Sequence, residues 1–112
     1  MDSSSDSEQE RAAGAEAMRN ARVIVSDFTP EQEVAVVKYA TEAMNKHKMD
    51  KDSATDLKRR IDADANFRGG GLGAWQVLVG RSFAVSVTHE TSYLMYFNLI
   101  QPRRTVLIFK SQ

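Results

Sequence analysis

The alternation of apolar and polar positions divides the chain into a short strand, two helices and a β-rich second half. Arg22-Val-Ile-Val-Ser26 is a β-branched run with the composition of a strand. A helix start follows it. Thr29 is suited to cap, Pro30 fits the first helical position because its missing N–H has no partner there anyway, and Gln32 completes a capping box. Val34, Val37, Thr41 and Met44 then recur at helical spacing with Ala40 and Ala43 beside them, so the pattern predicts a helix to about Lys48 with one inward face. A second helix is expected from Asp50, read as its N-cap. Acids stand early and Lys58, Arg59 and Arg60 late, the order the helix dipole favours. Its apolar stripe, Ala54, Leu57, Ile61 and Ala65, is thin, which places it on a surface.

Asn66-Phe-Arg-Gly-Gly-Gly-Leu-Gly73, with four glycines in its last five residues, reads as a loop, since the backbone entropy of such a run opposes helix and strand alike. Beyond it four strands are predicted: Trp75 to Val79, Phe83 to Thr88, Tyr93 to Leu99 and Thr105 to Lys110. Gly80-Arg81-Ser82 is a tight turn or crossover, and Pro102-Arg103-Arg104 the last hairpin loop. Phe83, Val85 and Val87 face one way and Ala84, Ser86 and Thr88 the other, which suggests an edge strand offered to partners. The expected class is α+β: a short N-terminal strand and two helices packed on a mainly antiparallel sheet of four to five strands.

Composition narrows the functional classes. The 112 residues suffice for one domain with a modest core. Fifteen basic and fifteen acidic side chains cancel, giving no general attraction to nucleic acid or membrane, and neither is expected as a partner. Residues 1–20 hold five acids against two bases and no aromatic or β-branched residue, so they are expected to form a disordered acidic, serine-rich tail ahead of a domain spanning residues 21–112. Ala12 to Arg19 favours a transient helix interrupted by Gly14. Ser3, Ser5 and Ser7 each have an acid three positions on, a weak pattern for acid-directed phosphorylation; a plain solvated tail is the simpler reading. With no cysteine, thiolate chemistry is excluded, and no apolar run approaches the length that crosses a bilayer.

Catalysis and cofactors find little support. The glycine run joins a helix to a strand, the reverse of a phosphate loop, and no Gly-Lys-Ser/Thr follows. Ser86, His89 and Glu90 are hydrolytic residue types, but neighbours on an extended strand point apart, so they do not readily converge on one atom. His47 and His89 lie in different elements without ligand spacing. Arg103-Arg104 and Lys58-Arg59-Arg60 are short enough to be solvated faces. No enzyme activity, metal or cofactor is expected.

Trp75-x-x-x-Val-Gly-Arg-x-Phe83, then Val87-Thr-His-Glu-Thr91, the aromatic pair Tyr96-Phe97 and the C-terminal Leu-x-Phe-Lys-Ser111 resemble the dynein light chain family, the eight-kilodalton hub class. The resemblance runs from about Val23 to Ser111. It implies a strand-swapped homodimer in which each protomer's edge strand crosses to its partner's sheet. Two interfacial grooves then each add an extended peptide as a further strand, with the second helix as the other wall. Main-chain hydrogen bonds supply sequence-tolerant affinity in such strand addition, and side-chain pockets supply selectivity. Paired grooves favour dimeric or tandem partners, where avidity adds about 10² to 10⁴ over one site. The implied partners are the dynein intermediate chain and short linear motifs of other proteins, often around Thr-Gln-Thr. The implied location is the cytoplasm and the microtubule cytoskeleton.

Carried onto this chain, the implied groove comprises Lys51 at the start of the second helix, then Gly80, Arg81, Ser82, Ala84, Val85 and Ser86. It continues through Val87, Thr88 and His89, with Leu94, Tyr96 and Asn98 from the next strand. Lys51 and the helix start resemble the site for the motif's glutamine; Thr88 and Tyr96 offer hydroxyls. Gln76, Phe83, Val85 and Val87 fall at the implied dimer interface, Phe83 as an inward anchor rather than a ligand contact. Ala84-Val85-Ser86 replaces the usual Gly-Ser-Tyr, Leu94 a Phe, and Asn98 a Tyr, so peptide preference departs from the common one. Gln76 stands where a His tied to acid-sensitive dimerisation is common, and an amide does not titrate. Two readings stay open: a peptide-binding motor light chain, and a fixed structural subunit of an axonemal or other cytoskeletal assembly with one specialised partner.

Overall fold

The computed structural model describes residues 14–68, 74–81 and 92–110. Strand β1 (Ala21–Ser26) leads into helix α1 (Pro30–Lys46), helix α2 (Asp50–Ala63) and a 3₁₀ turn (Ala65–Phe67). Strands β2 (Trp75–Gly80), β3 (Ser92–Leu99) and β4 (Arg104–Lys110) follow. The four strands form one antiparallel sheet in the order β1-β3-β4-β2. The class expected from the pattern is therefore found. The strand expected over Phe83 to Thr88, the glycine run Gly69 to Gly73 and the first thirteen residues lie outside the described residues.

The start of α1 forms as its sequence dictates. Thr29 Oγ1 accepts from the Gln32 amide at 3.2 Å, and Gln32 Oε1 accepts from the Thr29 amide at 3.0 Å. Its buried face is Val36, Val37, Ala40, Ala43 and Met44, with Val34 and Thr41 only half-buried. Val36 was absent from the predicted stripe because Val36 and Val37 share the face at adjacent positions. The start of α2 differs from expectation. Met49 occupies the N-cap without a side-chain bond, and Asp50 is the first helical residue. Its carboxylate instead accepts from Arg104 Nε at 2.7 Å, a pairing 54 positions apart that no local pattern encodes. Ala65 is exposed, and Phe67, expected in a loop, takes the inward place expected of Ala65 because the 3₁₀ turn changes the helical phase.

One core lies between the helices and the sheet. Met95, Phe97 and Leu99 of β3, Val106 and Ile108 of β4 and Trp75 of β2 meet the α1 face together with Leu57 and Ile61 of α2. Phe28, Phe67 and Trp75 close one end as mutual edge-to-face pairs with centroids 5.6 to 6.0 Å apart. The indole N–H of Trp75 donates to the Phe67 carbonyl at 3.0 Å, which satisfies the one polar atom of that cluster. Small residues let the helices approach, and Ser53 Oγ reaches the Ala43 carbonyl at 3.3 Å.

The described structure also reaches into the expected tail. Residues 14–19 are helical, and Ala17 and Met18 pack on the core. The described part of this helix begins at Gly14, and Ala12 and Ala13 of the expected transient helix lie outside the described residues. A Cβ at Gly14 would stand 3.2 Å from Val34 Cγ1, so glycine permits the close approach to α1. Asn20 then clamps the β3–β4 turn, its side chain bonding both the carbonyl and the amide of Gln101 at 2.7 and 2.9 Å. Arg104, expected in that turn, opens β4 instead.

Candidate peptide-binding face

Strand alternation gives the sheet a second face, turned away from the helices. With Met95, Phe97 and Leu99 on the core side, Leu94, Tyr96 and Asn98 fall on the other. The register then assembles rows across the sheet. Val25, Tyr96, Leu107 and Leu78 are successive partners in one row spanning all four strands; Arg22, Asn98, Thr105 and Gly80 form the next. Gln76 stands opposite Phe109 in a third. Five residues expected at the groove or dimer interface, Gln76, Gly80, Leu94, Tyr96 and Asn98, are thus brought together on one face.

That face is apolar beyond what a solvated sheet requires. Leu94 and Leu107 are buried outside the helix-side core, while Leu78 is 50% exposed and Val25 is exposed at the far end of the same row. The row Asn98–Thr105 is polar and internally satisfied, Thr105 Oγ1 donating to Asn98 Oδ1 at 2.8 Å. A local distortion borders it. Between Ser92 and Met95, β3 takes three steps against two on β4, and Tyr93 within that bulge has φ +52°, a left-handed conformation that costs a bulky residue about 1–2 kcal/mol. Asp27 holds the distortion in place by accepting from the Leu94 amide through Oδ2 at 3.1 Å, while its own N–H donates to the Leu94 carbonyl at 2.8 Å.

Among the described residues β2 pairs with β4 alone and stands at one end of the strand order. Helix α2 lies along β2. The Asp50–Arg104 pair docks its first turn beside the start of β4, and Thr105, the next residue, is the partner of Gly80. Lys51, exposed on that turn, therefore sits at the same end of the sheet as Gly80 and Arg81. Ser82, Phe83, Ala84, Val85, Ser86, Val87, Thr88 and His89, and Glu90 of the alternative hydrolytic set, lie outside the described residues.

Behind the face, a charge network fixes α2 on α1. Asp56 accepts from His47 Nε2 and from Arg60 Nε, each at 3.0 Å, and Arg60 Nη1 also meets Glu42. Burial pushes the Asp56 carboxyl upward. The hydrogen bonds from Arg60 and His47, with the charges of Arg60 and Lys46, outweigh it and hold the group below its ordinary value. Tyr39 donates to Asp64 Oδ2 at 2.7 Å, and chiefly that hydrogen bond raises its pKa. The pair lines a groove of about 820 Å³ between residues 14–15 and α1, where phenol and carboxylate are engaged with each other. Among the described residues no three His, Cys, Asp or Glu side chains gather as metal ligands, and no helix is long and apolar enough to cross a membrane.

Two helices on one side of a four-stranded antiparallel sheet, with a partly exposed apolar face on the other, define a small α+β scaffold of the light-chain type. Similar folds occur in the dynein light chain-like domain of the Fasciola hepatica calcium binding protein FhCaBP2 and in the corresponding domain of CsTAL3. The first has a TM-score of 0.66 at 20% identity, covering 83% of this chain and 93% of that one; the second has 0.64 at 18%, covering 82% and 93%. Residues 20–111 match the family described as dynein light chain type 1. The cytoplasmic dynein light chain 1 of Debaryomyces hansenii is 37% identical over 86 residues, 77% of this chain and 86% of that protein. The chain belongs to the dynein light chain family.

Proposed function

We propose that this chain is a non-enzymatic light-chain subunit of a dynein motor complex that binds extended linear peptides by strand addition in grooves at a homodimer interface. The intermediate chain is the first expected partner, and the location is cytoplasmic and cytoskeleton-associated. The observation that carries the reading is the outward row Val25-Tyr96-Leu107-Leu78, which crosses all four strands and leaves Leu78 half exposed. A partly exposed apolar strip of that length suits a second protein surface rather than a small molecule. Lys51, at the start of α2, supplies positive charge where a glutamine amide oxygen of the motif would arrive. Isotope-labelled protein titrated with a Thr-Gln-Thr peptide or an intermediate-chain peptide is expected to shift resonances of residues 80–91 and Lys51. Absence of shifts with both would leave family membership standing and remove the peptide-binding function.

One observation favours a second reading, a subunit fixed to a single structural neighbour, as in an axonemal arm. Asn98 is already engaged by Thr105, and Leu94 is buried, so two positions implied for ligand contact are committed within the chain. A pull-down returning one stoichiometric partner, with no binding to generic Thr-Gln-Thr peptides, would select this reading.

A further inference from the structure

At the end of the sheet where β3 turns into β4 lies a cavity of about 440 Å³ whose lining includes four arginines, Arg22, Arg81, Arg103 and Arg104, together with Asn98 and Thr105. Arg104 is neutralised in part by Asp50 at 2.7 Å. Arg22, Arg81 and Arg103 form no ion pair with any described acid. In a chain of zero net charge, three such guanidiniums at one cavity concentrate positive potential against the global balance. Guanidinium forks suit carboxylates and phosphates.

We propose that this cavity receives the chain's own N-terminal segment, residues 2–10, through Asp2, Asp6, Glu8 and Glu10. That segment holds four acids and no base, the complement of the cavity. Connectivity places it within reach. Asn20 is bonded to Gln101, next to Ile100 of the cavity wall, and the helix of residues 14–19 carries the chain only about 9 Å from there. Thirteen extended residues span up to about 43 Å, ample for return. Tethering supplies an effective concentration of order millimolar, so a weak, salt-sensitive site is occupied in cis. Phosphorylation of Ser3, Ser5 or Ser7 adds about −1.5 to −2 charges each and strengthens the docking.

The test reads arginine Nε–Hε resonances in the full chain and in a full-length variant carrying D2N, D6N, E8Q and E10Q. At low salt the Arg22 and Arg103 signals are expected to differ between the two chains, and the difference to vanish in about 0.5 M salt. A synthetic residues 1–13 peptide bearing phosphoserine at position 5, added to the neutralised chain, is expected to move the same signals. In the full chain, Arg22→Gln with Arg103→Gln is expected to shift the amides of residues 2–10. Identical arginine signals in the two chains at low salt overturn the proposal. So does a result in which only an added partner peptide or inorganic phosphate moves them. These readouts need no bound peptide ligand, so they stand apart from the test of the proposed function.

Discussion

Leu78 is the side chain expected to separate the proposed peptide-binding dimer from an isolated domain. It lies on the outward face opposite Leu107, half exposed in the single chain. Full burial of a leucine side chain is worth about 1.5–3 kcal/mol, so covering the exposed half contributes about 1 kcal/mol per protomer. A two-fold interface uses the same patch twice, which makes the loss on Leu78→Ala about 2 kcal/mol per dimer, or roughly 30-fold in dissociation constant. The substitution touches no residue of the helix-side core, so the isolated fold is expected to lose well under half of that. Sedimentation equilibrium of the natural chain and L78A, alongside thermal unfolding of each at fixed protein concentration, measures both quantities. Unchanged self-association in a folded L78A would refute the assignment of this face to the dimer, as would monomers for both chains at high micromolar concentration.

Other expectations concern pH and packing. Because position 76 holds an amide, the dimer is expected to persist at pH 5, and Gln76→His to make it acid-sensitive; sedimentation of both chains at pH 5 and pH 7 checks this. The depressed pKa of Asp56 stabilises the fold above the unfolded carboxylate value near 4, a contribution lost as pH falls through the lower folded value. Asp56→Asn is therefore expected to flatten the acid limb of a stability-against-pH curve below about pH 4. Tyr39, raised by its bond to Asp64, contributes stability present below pH 10 and lost as pH rises through the folded value, so Tyr39→Phe is expected to flatten the alkaline limb. Trp75→Phe leaves the Phe67 carbonyl without its donor and opens space between two rings, an expected loss of about 2 kcal/mol by denaturant unfolding.

What the chain disclosed alone was its local structure. The Thr29–Gln32 capping box, the inward positions Val37, Ala40, Ala43 and Met44 of α1 and three of the four predicted β-runs of the second half are set by interactions within a few residues, and such signals survive in a single sequence. Features joining distant positions were not legible. Asp50 has the residue type of an N-cap, yet Arg104, 54 positions away, takes its carboxylate. The sheet order β1-β3-β4-β2 follows from long-range pairing, and the bulge at Tyr93 depends on Asp27, 67 positions before Leu94. For the same reason the helix at residues 14–19 was read as tail. Ala17 and Met18 become a packing face only once α1 lies beside them.

One departure from the family pattern lies at the arginine-lined cavity, and that bears on what the site selects. Asn98, standing where a tyrosine is usual, pairs with Thr105, in the same row as Arg22 and Gly80. Arg103 and Arg104 come from the turn that follows β3, and Arg81 from the end of β2. The missing aromatic ring lowers apolar area at this end of the face, while the guanidiniums beside it raise its positive potential. Affinity should therefore depend less on ring contacts and more on charge, and binding of any extended segment here should weaken more steeply with salt than an apolar groove allows. The opposite end, with Leu94 buried beside the Tyr93 bulge, keeps its apolar character. A peptide lying along this face would then be read at two ends by different physics, acidic at the arginine end and apolar at the bulge. Binding of an acidic-to-apolar peptide and of its reversed sequence, compared at 50 and 300 mM salt, tests that polarity: equal affinities and equal salt slopes for the two would show that the face does not distinguish its ends.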